Sequence, residues 1–209
     1  MDLLQTIDLP HLDTDGIQFH PVIDLPDGYE VYDFSCGYDP NRSRSSVYGI
    51  GRYNEYRPSM YSAPQYAVDD IRNIHMGIDI AAPVGDPVRA FYHGSIYLFG
   101  DNTAHQDYGP TIITKHRLLD QDLYALHGHL SRASISDLQS GQTFKAGETI
   151  GYIGDETENG GWNPHLHFQL CRLAPATHDL PGVVSAAQHA AALTVFPDPR
   201  LVLGPIYAD

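Results

Sequence analysis

Basic residues are scarce in this chain. Lys and Arg number 12 against 26 Asp and Glu, a formal net charge of −14 over 209 residues. No basic cluster offsets that balance, which argues against a nucleic-acid or anionic-membrane partner. Cysteine is nearly absent. Cys36 and Cys171 are too few for a disulfide framework and fit no zinc-knuckle spacing, so both are expected as buried, reduced thiols. No apolar run approaches the length of a membrane helix. Residues 1–10 lack the basic and apolar regions of a signal peptide, so the expected location is cytoplasmic. A chain with its signal removed would read the same, which keeps a periplasmic or exported location as the alternative. Only two lysines are present, Lys115 and Lys145, and neither sits at a tight turn flanked by Met. That counts against a carrier domain presenting a modified lysine.

Aromatic and turn-forming residues are plentiful. The 14 tyrosines and the 42% apolar fraction suffice for a sizeable core, and the length fits one domain. Residues 1–62 are rich in Pro, Asp, Gly and Tyr with weak periodicity. They are expected as an irregular N-terminal arm packed on the core, because so many aromatics argue against simple disorder. Residues 63–209 are expected as the main domain with a C-terminal extension. Short strand-like stretches there, at 76–81, 87–92, 94–99, 111–116, 123–130, 149–153 and 166–171, are separated by Gly and Pro turns. This spacing indicates an all-β sandwich or barrel. One short helix is expected over residues 185–193, ended by Pro197 and Pro199.

Three histidine clusters stand out. After Asn163-Pro164, the run His165-Leu166-His167-Phe168-Gln169-Leu170 reads as a strand. Side chains alternate along it, so Leu166, Phe168 and Leu170 can enter a core while His165, His167 and Gln169 share the other face. Two imidazoles on a rigid strand suit a divalent metal, Zn²⁺ first among them. A strand that merely happens to carry two histidines reads the same locally. In His75-Met76-Gly77-Ile78-Asp79 the even spacing places His75 and Asp79 on one strand face. Joined to an imidazole from another strand they make a two-His, one-Asp site, and three protein ligands with one open position is the pattern of catalytic zinc. His127-Gly128-His129 repeats the i, i+2 spacing, so either ring can be a ligand or a general acid or base. Gly128 between them lets another backbone approach.

In this order the clusters resemble the lysostaphin-type, or LytM-like, zinc endopeptidases. That family carries His-x-x-x-Asp, then a His in a Tyr-x-His-Leu context, then His-x-His. The turn from Ala81 to Ala90 and the strands around Gly94-Ser95-Ile96 and Lys145-Ala146-Gly147 are also similar, so the resemblance covers about residues 70–172. It implies an antiparallel two-sheet sandwich or half-barrel. It also implies zinc held by His75, Asp79 and His167, with His129 and His165 as the catalytic histidines. The implied activity is a metallopeptidase that cleaves a peptide or peptidoglycan-fragment amide through a zinc-bound water, with imidazole N–H groups supporting the oxyanion. His127 stands where the family usually has Tyr. A narrower resemblance rests on Gly51-Arg52-Tyr53-Asn54-Glu55, Asp107-Tyr108-Gly109 and Gly160-Gly161-Trp162. It points to the peptidase-like domain fused between a kinase and an aminotransferase in some large intracellular proteins. The competing reading is a binding or regulatory module that keeps the fold without chemistry.

Overall fold

Period-two alternation of apolar side chains sets where the long strands form. A computed structural model describes residues 4, 7–39, 41–66 and 70–208. Residues 1–3, 5, 6 and 40 of the expected arm thus lie outside the described residues. The strands are β1 (Glu30–Val31), β2 (Gly49–Gly51), β3 (Glu55–Tyr56), β4 (Ile74–His75), β5 (Ile78–Ala81), β6 (Pro87–Arg89), β7 (Gly94–Asn102), β8 (Gly109–Leu118), β9 (Gln121–Gly128), β10 (Thr143–Phe144), β11 (Thr149–Tyr152), β12 (His165–Cys171) and β13 (Val183–Val184). Two short helices follow, α1 (His189–Val195) and α2 (Arg200–Leu203).

Eight strands form one sheet in the order β1-β2-β5-β12-β9-β8-β7-β10. Every neighbouring pair is antiparallel except β1 with β2. Two small antiparallel sheets accompany it, β6 with β11 and β3-β4-β13. The chain therefore adopts the expected antiparallel, all-β class. The large sheet buries both faces. Ile78, Ile80, Leu166, Phe168 and Leu170 enter one core, together with Ile112 of β8 and Leu123 of β9. The opposite face packs Leu126 and Cys171 with Met76, Tyr108, Val184 and Phe196. Each large side chain so buried contributes about 1.5–3 kcal/mol, which anchors β12 from both sides. Helix α1 begins at His189 rather than Ser185, because residues 185–188 close a turn: Gln188 N donates to Ser185 O at 3.1 Å and Ser185 N to Gln188 Oε1 at 3.3 Å. Its Ala192 and Val195 complete the second cluster. Among the described residues no helix is long and apolar enough to cross a membrane.

Three local expectations change. His75 and Asp79 do not share a strand: His75 ends β4 in the three-stranded sheet, and Asp79 lies in β5 of the large sheet. Four residues of one straight strand span about 13 Å, too far for two ligands of one ion. The chain instead passes between sheets at Met76 and Gly77, which brings the two side chains to 3.2 Å. The strand carrying His127 stops at Gly128, and His129 adopts a positive φ of 63°. Finally, Cys171 is buried but Cys36 is exposed, because Cys36 lies in a surface turn of residues 34–37 closed by Gly37 N donating to Phe34 O at 2.8 Å.

Candidate metal centre

The register of β12 sets the centre. His167 lies opposite Asp79 of β5 on one side and Gly128 of β9 on the other. Directly opposed residues of an antiparallel pair project to the same face, so imidazole and carboxylate meet, with His167 Nδ1 3.0 Å from Asp79 Oδ1. His75 arrives from β4. Its Nε2 lies 3.1 Å from His167 Nδ1 and 3.2 Å from Asp79 Oδ1. Gly77 makes the approach possible, since a Cβ there would lie 2.5 Å from the His167 ring and 2.9 Å from Phe168 O.

The outer hydrogen bonds decide what these atoms offer. His75 Nδ1 donates to Arg52 O at 2.8 Å. His167 Nε2 donates to Gln169 Oε1 at 2.9 Å, and Gln169 is oriented by its own Nε2 donating to Pro181 O at 3.3 Å. In their neutral forms both rings therefore turn a bare nitrogen towards Asp79 Oδ1. Burial, with the Arg57 charge behind it, pushes the His75 pKa down to about 4. Burial alone would raise the Asp79 carboxyl, but His75 and Arg57 hold it well below the usual carboxylate range. Three lone-pair donors thus converge, all within 4.8 Å of one another. Their separations of 3.0–3.2 Å are close to the edge, about 3.3 Å, of a tetrahedron with Zn–N and Zn–O bonds near 2.0–2.1 Å. Two imidazoles and one carboxylate fit Zn²⁺ by donor type.

Two more imidazoles flank this cluster. His165 precedes His167 on the same face of β12, with its Nε2 3.7 Å from Asp79 Oδ1. The His129 and His165 ring centroids are 4.2 Å apart. His129 reaches this place only because its left-handed backbone turns the side chain off the line of β9. His129 N donating to Tyr108 O at 2.8 Å and Gly154 N donating to His129 O at 3.0 Å hold that conformation. Both outer nitrogens are again occupied: His129 Nδ1 donates to Asn159 O at 2.8 Å and His165 Nδ1 to Asn163 O at 2.7 Å. Burial lowers the pKa of both rings, that of His129 well below the ordinary value. Each presents Nε2 as an unprotonated base.

His127 does not join them. It pairs with Phe168, on the face opposite His167, and lies fully buried with its ring 5.3 Å from the Phe168 ring. Among the described residues its Nε2 has no hydrogen-bond partner. It does not border the cavity that His75, Asp79, His129, His165 and His167 line. What approaches Gly128 is the Tyr108 side chain rather than a backbone, as a Cβ would lie 2.8 Å from the Tyr108 ring. The Tyr108 ring packs against both His129 and His167, at 5.6 and 5.1 Å, and its hydroxyl donates to Leu180 O at 2.9 Å.

The cleft opens on both sides of Asp79 and His165. One arm, a cavity of about 230 Å³, is bordered by Tyr61, Arg72, Asp107, His129 and Trp162. The other, about 310 Å³, is bordered by Phe34, Tyr38, Arg44 and Trp162. The segment before β4 supplies part of both walls. Ser62 N and Ala63 N donate to Gln106 Oε1 at 3.0 and 2.8 Å, and the Tyr61 ring meets Trp162 edge-on at 6.1 Å. Sequence reasoning missed Arg57, Tyr108 and Gln169 as parts of this site. Only Gln169 had a signal, its place on the histidine face of β12.

The chain matches the model of Peptidase family M23 over residues 73–178. It is similar to the DD-carboxypeptidase/endopeptidase Mpg of Neisseria meningitidis serogroup B, 38% identical over 96 residues. That stretch is 46% of this chain and 20% of the relative, so the chain spans about a fifth of the length of the curated relatives it matches. Among solved structures, the catalytic domain of the antimicrobial peptidase lysostaphin from Staphylococcus simulans is 26% identical with a TM-score of 0.45, covering 64% of this chain and 89% of that one. A zinc-containing peptidase from Vibrio cholerae is 22% identical with a TM-score of 0.40, covering 64% and 35%.

Proposed function

The chain belongs to Peptidase family M23, and on that premise we propose that it is a zinc-dependent peptidase hydrolysing a peptide amide bond. His75 Nε2, Asp79 Oδ1 and His167 Nδ1 are the metal ligands in this reading, and His129 and His165 are the catalytic histidines. The observation that carries it is the orientation of the rings: four imidazoles give their outer N–H to Arg52 O, Asn159 O, Asn163 O and Gln169 Oε1. Four bare nitrogens and one carboxylate oxygen then face a single cleft, an arrangement that a cation and an incoming water reconcile.

Bound there, Zn²⁺ supplies Lewis acidity to the scissile carbonyl and lowers the pKa of a water to about 7. The protein's own groups move the proton. One of His129 and His165 accepts it from the attacking water at Nε2. That ring is then an imidazolium, and its new N–H supports the developing oxyanion. Oxyanion support therefore follows proton capture, since the N–H groups present beforehand point away to Asn159 and Asn163. Those carbonyls favour the charged ring, which then returns the proton to the leaving amine. Asp79 stays ionised throughout, with Arg57 behind it.

A peptidoglycan-type peptide is the substrate class put forward. Its support is the Mpg relative, named a DD-carboxypeptidase/endopeptidase, together with the two-armed cleft. Residues 63–209 are taken as the peptidase unit and residues 1–62 as an arm that walls it. The test is hydrolysis of a synthetic stem peptide before and after chelation. Activity should vanish with the metal and return with Zn²⁺ or Co²⁺. Hydrolysis that survives chelation, or a folded protein that takes up neither ion, overturns the reading.

A further inference from the structure

Arg57 lies outside residues 73–178, the stretch the family model covers. Its side chain is 1% exposed, which is costly for a guanidinium unless every donor is satisfied. Nη1 donates to Asp79 Oδ2 at 2.7 Å and Nε to Glu55 Oε2 at 2.8 Å. Nη1 also reaches the Tyr61 hydroxyl at 3.1 Å, and Nη2 reaches Arg52 O at 3.3 Å, the same carbonyl that accepts from His75. Glu55 Oε1 in turn accepts from Phe34 N at 3.0 Å, and the guanidinium lies 5.0 Å from the Phe34 ring centre. Gly51 leaves the space, since a Cβ there would lie 2.8 Å from Arg57 Nη2. Two carboxylates thus share one buried cation, and only one of the four carboxylate oxygens, Asp79 Oδ1, is left facing His75 and His167.

We propose that Arg57 is a positioning residue that makes Asp79 a one-oxygen ligand, an inference that rests on the metallopeptidase reading. A carboxylate with both oxygens free can swing to offer the pair and occupy the coordination position a water needs. Arg57 prevents that by holding Oδ2, and Glu55 balances its charge so that Asp79 keeps its own. Arg57 also props the Arg52 carbonyl that sets the His75 tautomer, so one side chain steadies two ligands.

The test measures metal binding without substrate, in the full chain. Two variants are compared with the unaltered protein: Arg57→Lys, which keeps the charge but loses the fork, and Glu55→Gln combined with Arg57→Met, which removes the cation with one of its two carboxylates and leaves Asp79 Oδ2 free. Circular dichroism checks the fold. Competition with a chromophoric chelator reads Zn²⁺ affinity, and visible absorption of the Co²⁺ form reads coordination number. The double variant should lose 10–100-fold in affinity, and its Co²⁺ absorption should weaken as a fifth ligand atom enters. Arg57→Lys should fall between. Affinity within twofold and an unchanged Co²⁺ spectrum in either folded variant would overturn the role of Arg57. An unaltered protein that binds neither metal defeats the peptidase reading itself, a separate failure.

Discussion

A single residue, Gly128, separates His127, sealed on the core face of β9, from His129, which lines the cleft. His127 continues the alternation of β9, lies against Phe168 and leaves one nitrogen without a partner. His129 breaks the alternation at a φ of 63°, contacts His165 and turns Nε2 to the cleft. Both rings are buried and both are neutral near pH 7, with the His127 pKa pushed down to about 3. Burial therefore does not distinguish an imidazole that faces the cleft from one that packs in the core. One left-handed residue does, at about 1–3 kcal/mol of backbone strain, offset by the bonds His129 gives to Tyr108 O and Asn159 O and the one it accepts from Gly154 N.

The contrast is broken most severely at His129. His129→Ala should lower kcat/KM by about 10²–10⁴-fold while leaving Zn²⁺ bound, checked by stem-peptide kinetics beside metal analysis. Loss of the metal as well would place His129 among the ligands. A smaller effect sharpens the comparison from the ligand side. Gly77→Ala puts a methyl group 2.5 Å from the His167 ring, so the ring is pushed from its place unless β4 shifts, and Zn²⁺ affinity should fall about 10–100-fold, read by chelator competition. A wild-type affinity would mean that β4 yields instead. The mildest change is His127→Leu, which should leave kcat/KM unchanged and alter stability at pH 7 by no more than about 1 kcal/mol.

The same variant carries a pH signature. The unfolded His127 side chain takes a proton near pH 6.5, but the folded one resists protonation down to about pH 3. The unfolded state binds more protons between those values, so stability is full above about pH 6.5 and falls as pH drops. Each such ring adds up to about 1.4 kcal/mol per pH unit to the slope. His116, pushed down to about 4 by burial, acts in the same direction. Urea unfolding of metal-free protein at pH 7 and pH 5 should show a smaller loss in His127→Leu than in the unaltered chain. Equal losses would show that His127 is protonated in the fold.

Much of this was legible in the residues. The alternation after Pro164 placed His165, His167 and Gln169 on one face, and the short strands between Gly and Pro turns announced an antiparallel β protein. The His75 and Asp79 spacing was read correctly as a pair and wrongly as one strand. Even spacing encodes a shared face, while the crossing from one sheet to another at Gly77 depends on the His167 ring passing over it. His127 was grouped with His129 because a period of two was carried one residue too far, and no local pattern marks a left-handed His. Arg57 was invisible for a different reason. Glu55 is only two residues away, but Asp79, 22 residues on, meets Arg57 only once the segment around β2 has docked on β5, a long-range event that no window of neighbouring residues contains.

That docking has an outcome of its own. With β2 in place, β5 is an interior strand, and the ladder carrying Asp79 is paired on both sides. A fragment starting near residue 73 would bare a row of unsatisfied amides and carbonyls right beside the cluster of Asp79, His75 and His167. Such borders recruit strands from other molecules, so a trimmed version should self-associate and clog its own entrance, while the fuller chain keeps that flank closed to strangers.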